Sequence, residues 1–163
     1  MIPYGKHNIS NSDIEAVIEV LKSDSLTQGK KVPEFENKIA TYCNVEYAVA
    51  ANSATSCLHL ACLALGLSEG DHLWTSPNSF VASSNCALYC GANVDFVDID
   101  RKTYNLCPDK LEQKLKISKE KGTLPKIVIP VHFAGQAPDL QSISKLAKEY
   151  NFKLPYIEFI NHE

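Results

Sequence analysis

Short apolar runs take turns with amphipathic stretches along most of the chain, and this alternation constrains the fold more than any other feature. Leu73-Trp74-Thr75, Val94 to Asp98 and Ile127 to Val131 are too short for helices and read as strands. Between and around them the spacing turns helical. Leu58, Cys62 and Leu65 share one face before Gly66, Ser79 to Tyr89 stops at Gly91, and Lys110 to Lys121 is a charged amphipathic segment. A helix over Leu140 to Tyr150, with Leu140, Ile143 and Ala147 inward, closes the series, and Phe152 begins another strand-like stretch. Strands separated by whole helices cannot pair as tight hairpins, so the expected fold class is α/β, three-layer, with a mainly parallel sheet.

The first fifty residues are helical in pattern. Ser12-Asp13-Ile14-Glu15 reads as a capping box for a helix through Ile14, Val17, Ile18 and Leu21 to about Ser23. A polar loop, Asp24 to Lys31, precedes a second helix opened by Pro33, with Phe35, Ile39 and Tyr42 at helical spacing. Tyr47 to Ala51 reads as a short strand. With no repeat and no linker-like tract, the 163 residues read as one domain.

Composition narrows the function. A net charge of -3, with 16 basic and 19 acidic residues interleaved, offers no basic face for a phosphate backbone, so no nucleic-acid partner is expected. No apolar run approaches the roughly 20 residues that span a bilayer, and MIPYGKHNIS is unlike a signal peptide, so no membrane partner and a cytoplasmic location are expected. In that compartment the six cysteines (Cys43, Cys57, Cys62, Cys86, Cys90, Cys107) are free thiols serving mainly as small apolar core residues. Neither CxxC nor HExxH occurs, so no metal site is expected.

Ligands of α/β folds sit at the carboxyl ends of strands, and phosphates favour helix amino termini, where N–H groups are unpaired. Ser53 to Ser56 is such a place. Ala54 permits close backbone approach, and the hydroxyls of Ser53, Thr55 and Ser56 can donate to phosphate oxygens. Plain helix capping by Asn52 or Ser53 explains the same residues. Phe80 is either a stacking surface for a flat ring or a core aromatic. Asp98 and Asp100 read as a solvated strand exit. GxGxxG, GxxxxGK[ST] and GxSxG are all absent, so dinucleotide, P-loop and serine-hydrolase readings have no support.

Longer motifs carry more. Through IPYGKHNIS, DSLTQGKKVPEFE, YAVAANSATS, the stretch NSATSCLHLACLALGLSEGDHLWTSPNSFVASSNCALYCGANVDFVDID, and PVHFAGQAPDLQSISKLAKEYNFK, the chain closely resembles the DegT/DnrJ/EryC1/StrS sugar aminotransferases, fold-type I enzymes that use pyridoxal 5'-phosphate. The resemblance implies the amino-terminal part of the large domain over residues 1–153, and amino transfer from glutamate to the C4 ketone of a UDP-linked 4-keto-6-deoxy sugar of the pseudaminic acid pathway. It implies a homodimer in the intact form. It places Ala54, Thr55 and Ser56 on the phosphate-binding turn and Phe80 against the cofactor ring. Tyr4, Asp24, Ser25, Leu26, Thr27 and Ala54 fall on substrate-contacting positions.

The resemblance breaks off at LPYIEFINHE, which sets Phe159 where the family has the aspartate that pairs with the pyridinium nitrogen. The family's Schiff-base lysine has no counterpart, and residues 154–163 read as a divergent tail. The chain alone is therefore expected to be inactive, with no catalytic residue of its own, and poorly soluble because a cut sheet exposes edges and apolar faces. Two other functions fit the same residues: an aminotransferase for another nucleotide 4-keto sugar, and a non-catalytic module that pairs with a full-length homologue.

Overall fold

Strand β1 (His72–Thr75) lies between β2 (Asn93–Phe96) and β3 (Ile127–Ile129), parallel to both, in the order β2-β1-β3. Leu73 stands opposite Val94 on one side and Ile127 on the other. The computed structural model describes residues 6–155, which form two compact units divided between Ala50 and Ala51. The sequence shows no linker there because the boundary falls inside the apolar run Val49-Ala50-Ala51.

In the second unit the alternation of side chains along each strand builds two cores. Leu73, Ile127 and Ile129 point to one face, where α3 (Ala54–Ala64) and α4 (Ala82–Tyr89) cover them with Leu58, Cys62, Ala82, Cys86 and Ala87. Trp74 and Val128 point to the other, packed with Leu111 and Leu115 of α5 (Pro108–Lys121) and Ile143 and Leu146 of α6 (Leu140–Tyr150). These positions follow the helical spacing of i, i+3 and i+4. The result is the three-layer α/β sandwich read from the sequence. The chain steps outward from β1 to β2, then back past β1 to β3. Right-handed connections running in those opposite directions place α4 on one face and α5 on the other. A lone parallel bridge from Ile127 to Lys153 starts a fourth strand where Phe152 announced one.

Several local expectations need correction. In the first unit, α1 (Asn11–Leu21) is capped two residues earlier than the pattern suggested: Ser10 accepts from the Asp13 N–H at 3.3 Å, and Asp13 accepts from the Ser10 N–H at 2.7 Å. The Ser10 N–H, together with the Ser10 hydroxyl that donates to the same carboxylate at 2.8 Å, holds the Asp13 carboxyl below its ordinary range. Ser12 instead hydrogen-bonds the Ser10 hydroxyl at 2.7 Å. Helix α2 (Lys31–Tyr42) starts before Pro33, and α4 starts at Ala82 rather than at Ser79. The stretch from Tyr47 to Ala51 is not a strand, and its Ala50 N–H goes to the Glu36 side chain at 2.9 Å. A strand needs a hydrogen-bonding neighbour, and no other segment among the described residues pairs with this one. All six cysteines are free, as expected, but Cys43 and Cys57 are exposed rather than in the core.

At the amino edge of the sheet, Lys126 ties three elements together. Its ammonium donates to the Gly66 carbonyl just beyond α3 at 2.5 Å and to Asp71 at 2.8 Å. The lysine holds the Asp71 carboxyl below its ordinary range, against the opposing effect of burial. Lys126→Met is expected to cost about 1 kcal/mol, the worth of one partly exposed ion pair with a helix-end hydrogen bond. Because the Asp71 pKa is depressed on folding, its contribution is present at neutral pH and fades as pH falls below about 4. Thermal melts should show the gap between the two proteins closing at pH 3; a gap independent of pH would contradict this account.

Candidate functional site

The amino termini of α3 and α4 lie at the carboxyl edge of the sheet. For α3 the argument is geometric: its far end, at Gly66, is fixed beside Lys126 at the amino edge, and eleven helical residues rise about 16 Å from there. For α4 the chain runs straight from the carboxyl end of β1 into the helix. The connections after the neighbours β1 and β3 lead to opposite faces, through α4 and α6, which opens a crevice beyond their carboxyl ends.

Ser53 is the amino cap of α3. Its hydroxyl accepts from the Ser56 N–H at 3.2 Å, and the Ser56 hydroxyl donates to Asn52 Oδ1 at 2.8 Å. The capping explanation therefore holds for Ser53. It does not use up the turn, because the N–H groups of Ala54 and Thr55 and the Thr55 hydroxyl have no hydrogen-bond partner among the described residues. No acidic residue stands in this first turn, and Ala54 is exposed. Two unpaired N–H groups, a free hydroxyl and the positive end of a helix dipole suit a phosphate dianion. Phe80, two residues before α4, is 68% exposed rather than in the core. An exposed ring there suits stacking against a flat heterocycle.

Asp24, Ser25, Leu26 and Thr27 form an exposed loop of the first unit, in which Gly29 is required because a Cβ there would meet the Ser25 carbonyl at 2.8 Å. Tyr4 and Phe159 lie outside the described residues. Asp98 pairs with Lys110 at 3.5 Å. Asp100 holds a turn, accepting from the N–H groups of Thr103 and Lys102 at 2.9 Å each, and those bonds keep its carboxyl below the ordinary range.

A groove of about 660 Å³ between the amino-terminal end of α5 and the length of α6 is lined by Asp100, Asp109, Glu112, Asp139, Glu149 and Lys145, among others. Its net negative lining repels a phosphate. Sequence reasoning passed over Asn105, which is 2% exposed and bonded on both sides of its carboxamide. The Asp-x-x-Thr sequence just before it marks a turn but carries no sign of the partners of Asn105.

Residues 7–157 match the DegT/DnrJ/EryC1/StrS aminotransferase family. The chain belongs to that family. It is 44% identical over 163 residues to the UDP-4-amino-4,6-dideoxy-N-acetyl-beta-L-altrosamine transaminase of Campylobacter jejuni, covering 99% of this chain and 41% of the relative. It is 38% identical over 149 residues to the spore coat polysaccharide biosynthesis protein SpsC of Bacillus subtilis, covering 91% and 37%. The chain thus spans about two fifths of the length of these curated relatives. Among solved structures, the aminotransferase from Psychrobacter cryohalolentis superposes with a TM-score of 0.82 at 27% identity, over 94% of this chain and 38% of that one. The Bacillus subtilis protein NtdA, solved with bound cofactor PMP, gives 0.79 at 31% identity, over 91% and 34%. No helix among the described residues is long and apolar enough to cross a membrane.

Proposed function

We propose that this chain forms part of the large domain of a pyridoxal 5'-phosphate-dependent aminotransferase that moves an amino group from glutamate to the C4 ketone of a UDP-linked 4-keto-6-deoxy sugar. The observation that carries the reading is the open first turn of α3, where Ala54 and Thr55 present unpaired N–H groups at the carboxyl edge of a parallel sheet. The Campylobacter jejuni relative supports the substrate class by its name. In this reading Ala54, Thr55 and Ser56 hold the cofactor phosphate and Phe80 covers one face of its ring. Tyr4 and Asp24 to Thr27, with Ala54, contact the sugar nucleotide. When bound, the cofactor supplies the conjugated ring that carries the amino group and takes up the electron pair of the reacting carbon.

The chain's own part is positional. The α3 amino terminus neutralises and orients the phosphate, which fixes where the ring lies. The exposed face of Phe80 then excludes water from one side of that ring. The working form in this proposal is a homodimer. The exposed apolar stripe of α1, Ile14, Val17, Ile18 and Leu21, supports that part of it.

Titration of the isotope-labelled chain with pyridoxamine 5'-phosphate is expected to move the amide resonances of Ala54, Thr55 and Ser56 and to shift the Phe80 ring protons upfield. Saturable binding that leaves these residues unmoved, or no binding at all, would sink the cofactor assignment.

A further inference from the structure

Three loops leave the carboxyl edge of the sheet, and the side chain of Asn105 joins two of them. Its Nδ2 donates to the Gln136 carbonyl at 2.9 Å, and its Oδ1 accepts the Phe133 N–H at 3.0 Å. The loop after β2 is thereby fastened to the loop after β3. The loop after β1 joins more loosely, through Asn78 Nδ2 and the Tyr104 carbonyl at 3.5 Å. Burying a carboxamide is costly unless both of its ends are satisfied, and here both are.

Beside the latch, two residues lie in the left-handed region that side chains normally avoid: Tyr104 at φ 59° and Ala134 at φ 51°. Neither is glycine, asparagine or aspartate, and each stands in a turn closed by backbone bonds, Tyr104 N–H to the Asp100 carbonyl at 2.8 Å and Gln136 N–H to the Phe133 carbonyl at 3.0 Å. Strain of this kind persists where the surroundings over-determine it, and it gathers at ligand clamps. What it achieves is visible. The rings of Tyr104 and Phe133 stand 6.2 Å apart, centroid to centroid, tilted by 48°, and both remain solvent-accessible at 54% and 36%. Two large aromatics left in water at the ligand end of an α/β sheet call for an apolar, flat partner.

We infer that Asn105 is a positioning residue that presents Tyr104 and Phe133 as an aromatic wall for the heterocyclic base of the nucleotide sugar. The inference rests on the proposed function for its substrate class. It adds the residues that receive the base and the one that sets them. Asn105 touches neither ligand nor reacting atoms. It acts through the Phe133 backbone, the Gln136 carbonyl and the turn to Tyr104, whose own N–H donates to Asp100 at 2.8 Å.

The test uses the full chain with UDP as the base-bearing probe and two variants that separate latch from wall. In Asn105→Ala, amide exchange at Phe133 should quicken at least about tenfold while Val128 and Ile129 in β3 stay protected, and UDP affinity should fall at least about fivefold, the lower end of what one base–aromatic stack contributes. Phe133→Leu keeps its N–H bond to Asn105, so exchange at position 133 should stay slow while UDP affinity falls by a similar factor. A merely structural asparagine would not weaken UDP binding in a chain that stays folded. Should Asn105→Ala fail to fold, Phe133→Leu and Tyr104→Leu still decide whether the wall binds the base.

Unchanged Phe133 exchange in Asn105→Ala, undiminished UDP affinity in Phe133→Leu, or a wild-type chain in which UDP moves neither Tyr104 nor Phe133 overturns the inference. If pyridoxamine 5'-phosphate moves Ala54 and Thr55 while UDP leaves the wall unmoved, this inference falls and the cofactor assignment stands. If UDP moves the wall and the pyridoxamine phosphate leaves the α3 turn unmoved, the reverse holds.

Discussion

An aspartate in place of Ala54 is expected to make the fold slightly more stable and to remove its affinity for pyridoxamine 5'-phosphate. The two effects have opposite signs because one feature causes both. Ala54 is the first residue of α3, exposed, with its N–H unpaired and no acid in the turn. A carboxylate there meets the positive end of the helix dipole and should add about 0.3–1 kcal/mol of stability. The same carboxylate would stand a few ångströms from a bound phosphate dianion. At about 4 Å each pair of unit charges costs about 4 kcal/mol when the effective dielectric is near 20, far more than the 1.4 kcal/mol that changes affinity tenfold. Ala54→Lys should reverse both signs, destabilising α3 while keeping or strengthening phosphate binding. Calorimetric melts and a pyridoxamine phosphate titration on the three proteins decide the matter. If Ala54→Asp binds as tightly as the wild type, the phosphate is not at this turn, whatever the melts show.

The legibility of the fold tracks how local the causes are. Strands β1 and β3 are buried on both faces, and a buried strand writes itself as a continuous apolar run, so Leu73-Trp74-Thr75 and Ile127-Val128-Ile129 could be read directly. Tyr47 to Ala51 carries the same kind of residues and is not a strand, because pairing depends on a neighbour that no local pattern encodes. The cap of α1 shows a subtler failure. Ser10-x-x-Asp13 and Ser12-x-x-Glu15 both satisfy the capping pattern, two residues apart, and only the geometry chooses between them. At the candidate site, Ser53 to Ser56 was legible since a small, hydroxyl-rich turn entering an apolar helix is a local signal. Asn105 was not. Its partners Phe133 and Gln136 stand 28 and 31 residues away, and the topology that brings those loops together has no trace in the sequence around it.

Trp74→Ala should be the most damaging single truncation in the second unit, at about 3–5 kcal/mol. Trp74 sits in the central strand, 1% exposed, with β2 and β3 on either side and Val97, Leu111, Leu115 and Ile143 in the same core. A cavity under a central strand has little freedom to collapse, because the ladder on both sides fixes the backbone. The ring has a second role at the sheet edge. Lys114 Nζ lies 4.8 Å from its centroid while pairing with Asp95 at 2.6 Å and donating to the Phe96 carbonyl at 2.6 Å. Losing the ring therefore also loosens the lysine that occupies a carbonyl of the exposed strand β2, an edge otherwise open to pairing with another chain. Against a total stability of about 5–15 kcal/mol, such a loss leaves the unit marginal. Since this is the only tryptophan, unfolding should be followed by far-ultraviolet circular dichroism rather than fluorescence. With a slope of about 1–3 kcal/mol per molar urea, the midpoint should fall by more than about 1 M. Leu60→Ala, on the exposed side of α3, should move it by less than about a quarter of that. A Trp74→Ala midpoint within 0.5 M of wild type, taking ~0.5 M as the resolution of such curves, would mean that the core on the α5 and α6 face is not what holds the sheet together.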